Sequence, residues 1–231
     1  MVTSMTTPIV EVRDLNKSFV LHLIDGRTIS PVQSMSFTVF PGQHFLIWGR
    51  SGVGKTSVLK CIYRTYISTS GSILYHSAHH GVIDMTTIPE RVVLQLREQE
   101  IGYCSQFLKV LPRVSALDIM TEPLRRMGMD KDHAREQGAE WLTRLRIAPH
   151  LWQASPVTFS GGEQQRINLG RAFIGKPRLL LLDEPTASLD SGSKQIVLDL
   201  IHDAKANGTT VVTVSHDIDT LSTLADQQLA L

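Results

Sequence analysis

The chain has 231 residues, 42% of them apolar, a formal net charge of +1 and two cysteines, Cys61 and Cys104. That is enough for one large domain with a proper core, and the near-neutral balance carries no footprint for nucleic acid. Two cysteines outside any metal-ligand spacing argue against a disulfide framework and for the cytoplasm, and no window approaches 18 consecutive apolar residues, so no membrane insertion is expected. Met1–Pro8 is polar and has no apolar signal core. Ile9–Val12 is a short β-branched run, Met35–Phe40 alternates as a half-buried strand does, and Pro41-Gly42 turns the chain. Phe45–Trp48 reads as a buried strand feeding a loop, followed by a helix from Lys55 to about Tyr66 and a hairpin over 71–83. Ile101–Ser105 is a strand. From Phe107 to Thr158 the texture turns helical, with helices predicted over Leu117–Met127 and His133–Leu145. Leu142, Leu145, Ile147, Leu151 and Trp152 read either as a partner groove or, for most of them, as this insert's own small core. A helix over Gly161–Ile174, a buried strand over Arg178–Leu182, a helix over Ser191–Ala206 and a strand over Thr209–Ser215 follow, then a short helix and a strand-like end. Strands alternating with helices predict an α/β fold with a mostly parallel sheet covered on both faces. Ligands in such sheets sit at the C-terminal ends of the strands.

The residues that carry chemistry fall at such ends. Gly49, Arg50, Ser51, Gly52, Val53, Gly54, Lys55 and Thr56 fit G-x-x-x-x-G-K-[ST] between a strand and a helix, with Ser57 next. Glycines let the backbone approach phosphates, whose oxygens its N–H groups bind. Lys55 then reaches the β- and γ-phosphates and the Thr56 hydroxyl holds Mg²⁺. Leu179–Leu182 runs into Asp183 and Glu184. Asp183 is placed to hold Mg²⁺, and Glu184 to take a proton from an attacking water. Gln106 follows its strand and is placed to touch the metal or the water. His216 ends another strand, beside the same edge, where it either orients the water or is purely structural. Asp190 is either the N-cap of the next helix or a contact to a second subunit, and both roles are compatible. Phe159–Arg166 carries a hydroxyl and two glycines, Ser160, Gly161 and Gly162, at a helix N-terminus. That is a second anion-binding composition, and one nucleotide needs one cradle. The second therefore faces a nucleotide held by another chain. His76, His79 and His80 crowd a hairpin tip without acidic or cysteine partners and read as solvated loop.

Gly49–Thr56, Gln106, Phe159–Arg166, Leu179–Glu184, Ser188–Asp190 and His216 occur in the order of the ATP-binding cassette (ABC) ATPases. The resemblance covers essentially the whole chain. It implies one ABC-type P-loop NTPase domain over 1–231: a nucleotide-binding core over 1–106 and 159–231 with an N-terminal antiparallel β subdomain, and an inserted α-helical subdomain over 107–158. It implies an ATPase that uses ATP and Mg²⁺ and works as an ATP-sandwich dimer, a homodimer or a heterodimer with a companion ABC subunit. In the signature Phe159–Arg166, Ser160, Gly161 and Gly162 then serve the γ-phosphate on the partner, Glu184 is the general base, and His216 is the switch histidine. Phe19 stands roughly where the family stacks an aromatic on adenine, and fits a core position equally.

Lys17–His22, Gly26–Val32, Ser105–Leu117 and Leu142–Trp152 resemble one non-transporter branch, the L subunits of the carbon–phosphorus lyase system of phosphonate metabolism. That branch implies the carbon–phosphorus lyase core complex as partner. The alternative is the nucleotide-binding subunit of a lipoprotein- or peptide-type membrane transporter. Two departures stand out: Arg50 where proline is common in the family, and Gly170 where alanine is common. The 15 residues after His216 leave no room for an added regulatory domain.

Overall fold

The computed structural model describes residues 7–21, 27–108 and 112–231. His22 and Gly26, residues 109–111 of the insert and the start of the chain up to Thr6 lie outside them.

Two sheets organise the chain. The first is antiparallel in the order β2-β1-β4-β5, from β1 (Val10–Leu21), β2 (Arg27–Val39), β4 (Ser70–Ser77) and β5 (Gly81–Asp84). The pairing of β1 with β2 slips register three times between Val12 and Phe19. Asp14 and Ser34 take φ of 44° and 42° there, so these bulged strands run far beyond the short runs that alternation predicts. The second sheet is parallel in the order β6-β7-β8-β3-β9, from β3 (His44–Trp48), β6 (Ile101–Cys104), β7 (Leu179–Asp183), β8 (Thr210–Ser215) and β9 (Gln227–Ala230).

Both faces of the parallel sheet are covered, which is why β7 is a run of four leucines rather than an alternation. Successive side chains point to opposite faces. Leu179 and Leu181 join Ile47, Val212 and Val214 in a core shared with α1 (Lys55–Ile62). Leu180 and Leu182 join Leu46 and Val211 against α5 (Gly161–Phe173) and α6 (Ser191–Ala206). Each such leucine contributes roughly 1.5–3 kcal/mol by burial. Among the described residues no helix is long and apolar enough to cross a membrane.

Three expectations need correction. The helix after the glycine loop stops at Ile62, because Arg64 takes φ 63° and its guanidinium donates to the Met85 and Thr86 carbonyls. A helix appears where none is predicted, α2 (Glu90–Gln99), which buries only Val93 and Leu96. A stripe that thin gives little periodic signal. The insert, built on α3 (Ala116–Arg126) and α4 (Lys131–Arg144), shares one core with the sheet and α5 among the described residues. Leu142, Leu145 and Ile147 belong to the cluster that holds Ile167, Leu169 and Phe173 of α5 and Leu180 of β7. Capping follows the sequence: Ser115 accepts from the Asp118 N–H, and Asp130 from those of Asp132 and His133.

Gly170 lies where the insert meets α5. A Cβ there would sit 2.3 Å from Leu145 Cδ1 and 2.9 Å from Met120 Cε. Helix propensity favours alanine by about 1 kcal/mol, but overpacking costs about 1–3 kcal/mol. Gly170→Ala is therefore expected to lower the urea midpoint of unfolding; a raised midpoint would mean the interface has slack.

Candidate functional site

Register brings the site together. Trp48 pairs Ser215, Asp183 pairs Val214, and Cys104 pairs Leu182, so β3, β6, β7 and β8 end at one edge. The loops leaving that edge carry Gly49–Gly54, Gln106, Glu184 and His216.

The glycine loop wraps the start of α1. Gly54 is the N-cap at φ 111°, and a Cβ there would meet the Pro31 carbonyl oxygen at 2.0 Å. Only glycine fits. Lys55 is 5% exposed, and its ammonium donates to the Gly49 and Arg50 carbonyls at 2.8 and 3.0 Å. The Arg50 side chain itself points to solvent. Lys55 Nζ lies 3.5 Å from Glu184 Oε1.

Asp183 and Glu184 are both buried. Asp183 Oδ1 accepts from Thr56 Oγ1 at 2.7 Å and Oδ2 from the Tyr103 hydroxyl at 3.1 Å. Burial raises the Asp183 carboxyl above its ordinary value, and these two donors pull it back. Glu184 has φ 51°, a strained conformation for a non-glycine residue and of the kind that persists at functional sites. Its Oε2 accepts from His216 Nδ1 at 2.8 Å, the His216 N–H at 3.2 Å and Ser215 Oγ at 3.3 Å.

Thr56, Gln106 and Asp183 line one groove of about 710 Å³ between α2, α3 and the sheet edge. Gln106 is exposed, and its loop is anchored by Asn168 of α5, which donates to the Ser105 carbonyl at 2.6 Å. Thr56 and Asp183 offer hard oxygen ligands that suit Mg²⁺. Among the described residues no three His, Cys, Asp or Glu side chains cluster as a metal cage.

Ser160 caps α5 in a capping box: the Glu163 N–H donates to Ser160 Oγ, and the Ser160 N–H and hydroxyl donate to Glu163 Oε2. A Cβ on Gly161 would meet nothing within 4 Å, and one on Gly162 only the Arg166 guanidinium at 3.6 Å. Among the described residues, no contact requires glycine at either position. Arg166 donates to the Leu145 carbonyl and to Ser193 Oγ. Ser193 donates to both Asp190 carboxylate oxygens, so Asp190 is the N-cap of α6. Phe19 on β1 meets the Tyr66 ring edge-on at 5.1 Å, with Lys17 Nζ 4.6 Å from its centroid. One face of that ring is already taken. The sequence reading missed Tyr103 and Asn168. A tyrosine in a strand and an asparagine in a helix carry no local signal.

The sequence model of the ABC transporter family matches residues 32–187. The lipoprotein-releasing system ATP-binding protein LolD of Shewanella frigidimarina is 34% identical over 212 residues, covering 91% of this chain and 86% of that protein. The macrolide export ATP-binding/permease protein MacB of Syntrophobacter fumaroxidans is 34% identical, and this chain spans 28% of its length. A dimeric ATP-binding cassette solved in a post-hydrolysis state with ADP and Pi superposes with a TM-score of 0.86 at 25% identity, covering 96% of this chain and 94% of that one.

The capping box makes a pH-dependent claim. Hydrogen bonds from Ser160 hold the Glu163 carboxyl below its ordinary 4.5, so the stability it adds is full above that value and is lost as pH falls through the folded one. Glu163→Gln keeps an amide oxygen for the box but removes the charge at the helix N-terminus. Urea unfolding should find the variant less stable at pH 7, by roughly 0.3–1 kcal/mol, and the gap should close in acid. A gap that persists in acid would assign the difference to geometry.

Proposed function

The chain belongs to the ABC transporter family, and on that premise we propose that it is the ATP-hydrolysing subunit of a transporter-type assembly, completed as a two-cassette ATP sandwich. It is an ATPase, turning ATP and water into ADP and phosphate, and its cofactors are ATP and Mg²⁺. The observation that carries the catalytic reading is the buried Glu184 carboxylate, set 3.5 Å from Lys55 Nζ and 2.8 Å from His216 Nδ1.

In this reading the N–H groups of Gly49–Ser57 and the Lys55 ammonium hold the phosphates. Thr56, Asp183 and Gln106 hold Mg²⁺, which when bound neutralises phosphate charge. Glu184 takes the proton from water, and His216 fixes its carboxylate and turns toward the γ-phosphate. Ser160, Gly161 and Gly162 act on the nucleotide of a second cassette, a copy of this chain or a companion subunit. The unobstructed glycine face supports this, as does the dimeric state of the similar solved cassette. Phe19 supplies a platform for adenine on the ring face that Lys17 leaves open.

The names of the LolD and MacB relatives favour a membrane transporter as the partner. The groove beside Gln106, with Phe107 70% exposed at its rim, is where a segment of that partner would bear on the site. This subunit would then work on the cytoplasmic side of the membrane. A second reading has one feature of its own: the resemblance of Ser105–Leu117 and Leu142–Trp152 to the carbon–phosphorus lyase branch. Copurification separates the two. A tagged chain that brings down an integral membrane permease supports the transporter reading. Recovery in a soluble phosphonate-degrading complex replaces it with the second.

Glu184→Gln should lower phosphate release at least a hundredfold while ATP still binds, and ATP should then trap a dimer on size exclusion. Unchanged phosphate release would remove Glu184 as the base.

A further inference from the structure

Asp183 is held at both carboxylate oxygens by donors from different elements. Thr56 of α1 takes Oδ1, and Tyr103 of β6 takes Oδ2. One donor alone leaves the carboxyl free to rotate, because the terminal torsion of an aspartate is broad. The phenol is well placed to supply the second. Its ring stacks on Tyr63 at 4.7 Å and 18°. Tyr63 is in turn fixed from α2, where the Arg97 guanidinium lies 4.4 Å from its ring centre and donates to its carbonyl at 2.8 and 3.1 Å. Asp183 therefore takes its orientation partly from the groove wall, through one hydroxyl.

We propose that Tyr103 is a positioning residue for the magnesium site, its hydroxyl fixing the Asp183 carboxylate in the orientation that binds the cation. Thr56 is itself assigned to the metal, so its hydroxyl serves two duties. The Tyr103 hydroxyl is given to the Asp183 carboxylate, and it acts through Asp183. Donors of this kind behind a metal ligand typically change metal affinity 10–100-fold. The groove also gains a route to the metal, since Arg97, Tyr63, Tyr103 and Asp183 all line or border it.

The inference rests on the reading of Asp183 as a magnesium residue, so both are tested together. Tyr103→Phe keeps the ring and its stack and removes only the hydroxyl. Calorimetric titration of the full chain with a non-hydrolysable ATP analogue is run twice, with Mg²⁺ and with EDTA. The variant should bind the magnesium complex about tenfold more weakly and the metal-free analogue as the native chain does. Unchanged affinity for the magnesium complex overturns the inference. So does an equal loss in both titrations, which marks general damage. Asp183→Asn in the same pair of titrations should abolish the preference for the magnesium complex. If it does not, the reading of Asp183 fails, whatever Tyr103 does.

Discussion

One ammonium and two carboxylates are held out of water at one edge of the parallel sheet, and the rest of the structure answers to that constraint. Lys55, Asp183 and Glu184 are 5%, 2% and 8% exposed. Buried charges are costly unless each is paired and hydrogen-bonded. Two loop carbonyls and Glu184 face Lys55, Thr56 and Tyr103 face Asp183, and Ser215 and His216 face Glu184. Those partners come from α1, β6, β8 and the loops at the strand ends. The ladder register must be right for all of them at once, because a one-residue slip would turn each strand over.

The local half of this site was legible in the chain. A strand, a glycine turn and a helix occur in one stretch at Phe45–Ile62, and four leucines announce the acidic strand end at Asp183. The rest was hidden, because it depends on pairing across long separations. Tyr103 finds Asp183 from 80 residues away, through the β6–β7 ladder. Asn168 finds the Gln106 loop across 63 residues, from α5. The insert's apolar residues read as a separate core because their spacing is helical. Spacing does not reveal that Leu145 and Met120 press on the glycine face of α5. The task is harder to read than the chemistry. The stretches that resemble the lyase branch lie in the insert, where Leu142, Leu145 and Ile147 are also buried core, so sequence alone does not separate a partner role from a packing role.

The head of α6 and the helix α5 are joined within one chain. Arg166 of the signature helix bonds Ser193, and Ser193 bonds Asp190 at the head of α6. The same guanidinium holds the Leu145 carbonyl at the end of the insert. One guanidinium thus bonds the insert and α6 from α5. On the other side, the Gln106 loop ties the groove to α5.

In the proposed ATP sandwich, the signature of one chain completes the phosphate loop of another. Mixing two inactive variants tests it most directly. Lys55→Ala spoils the phosphate loop, and a bulky charge in Ser160→Arg spoils the signature. A mixed dimer of the two holds one intact site, made of Lys55 from one chain and Ser160 from the other. With such a sandwich, phosphate release, absent from each variant alone, returns on mixing. No recovery in mixtures shown by differential tags to contain both chains together would contradict it.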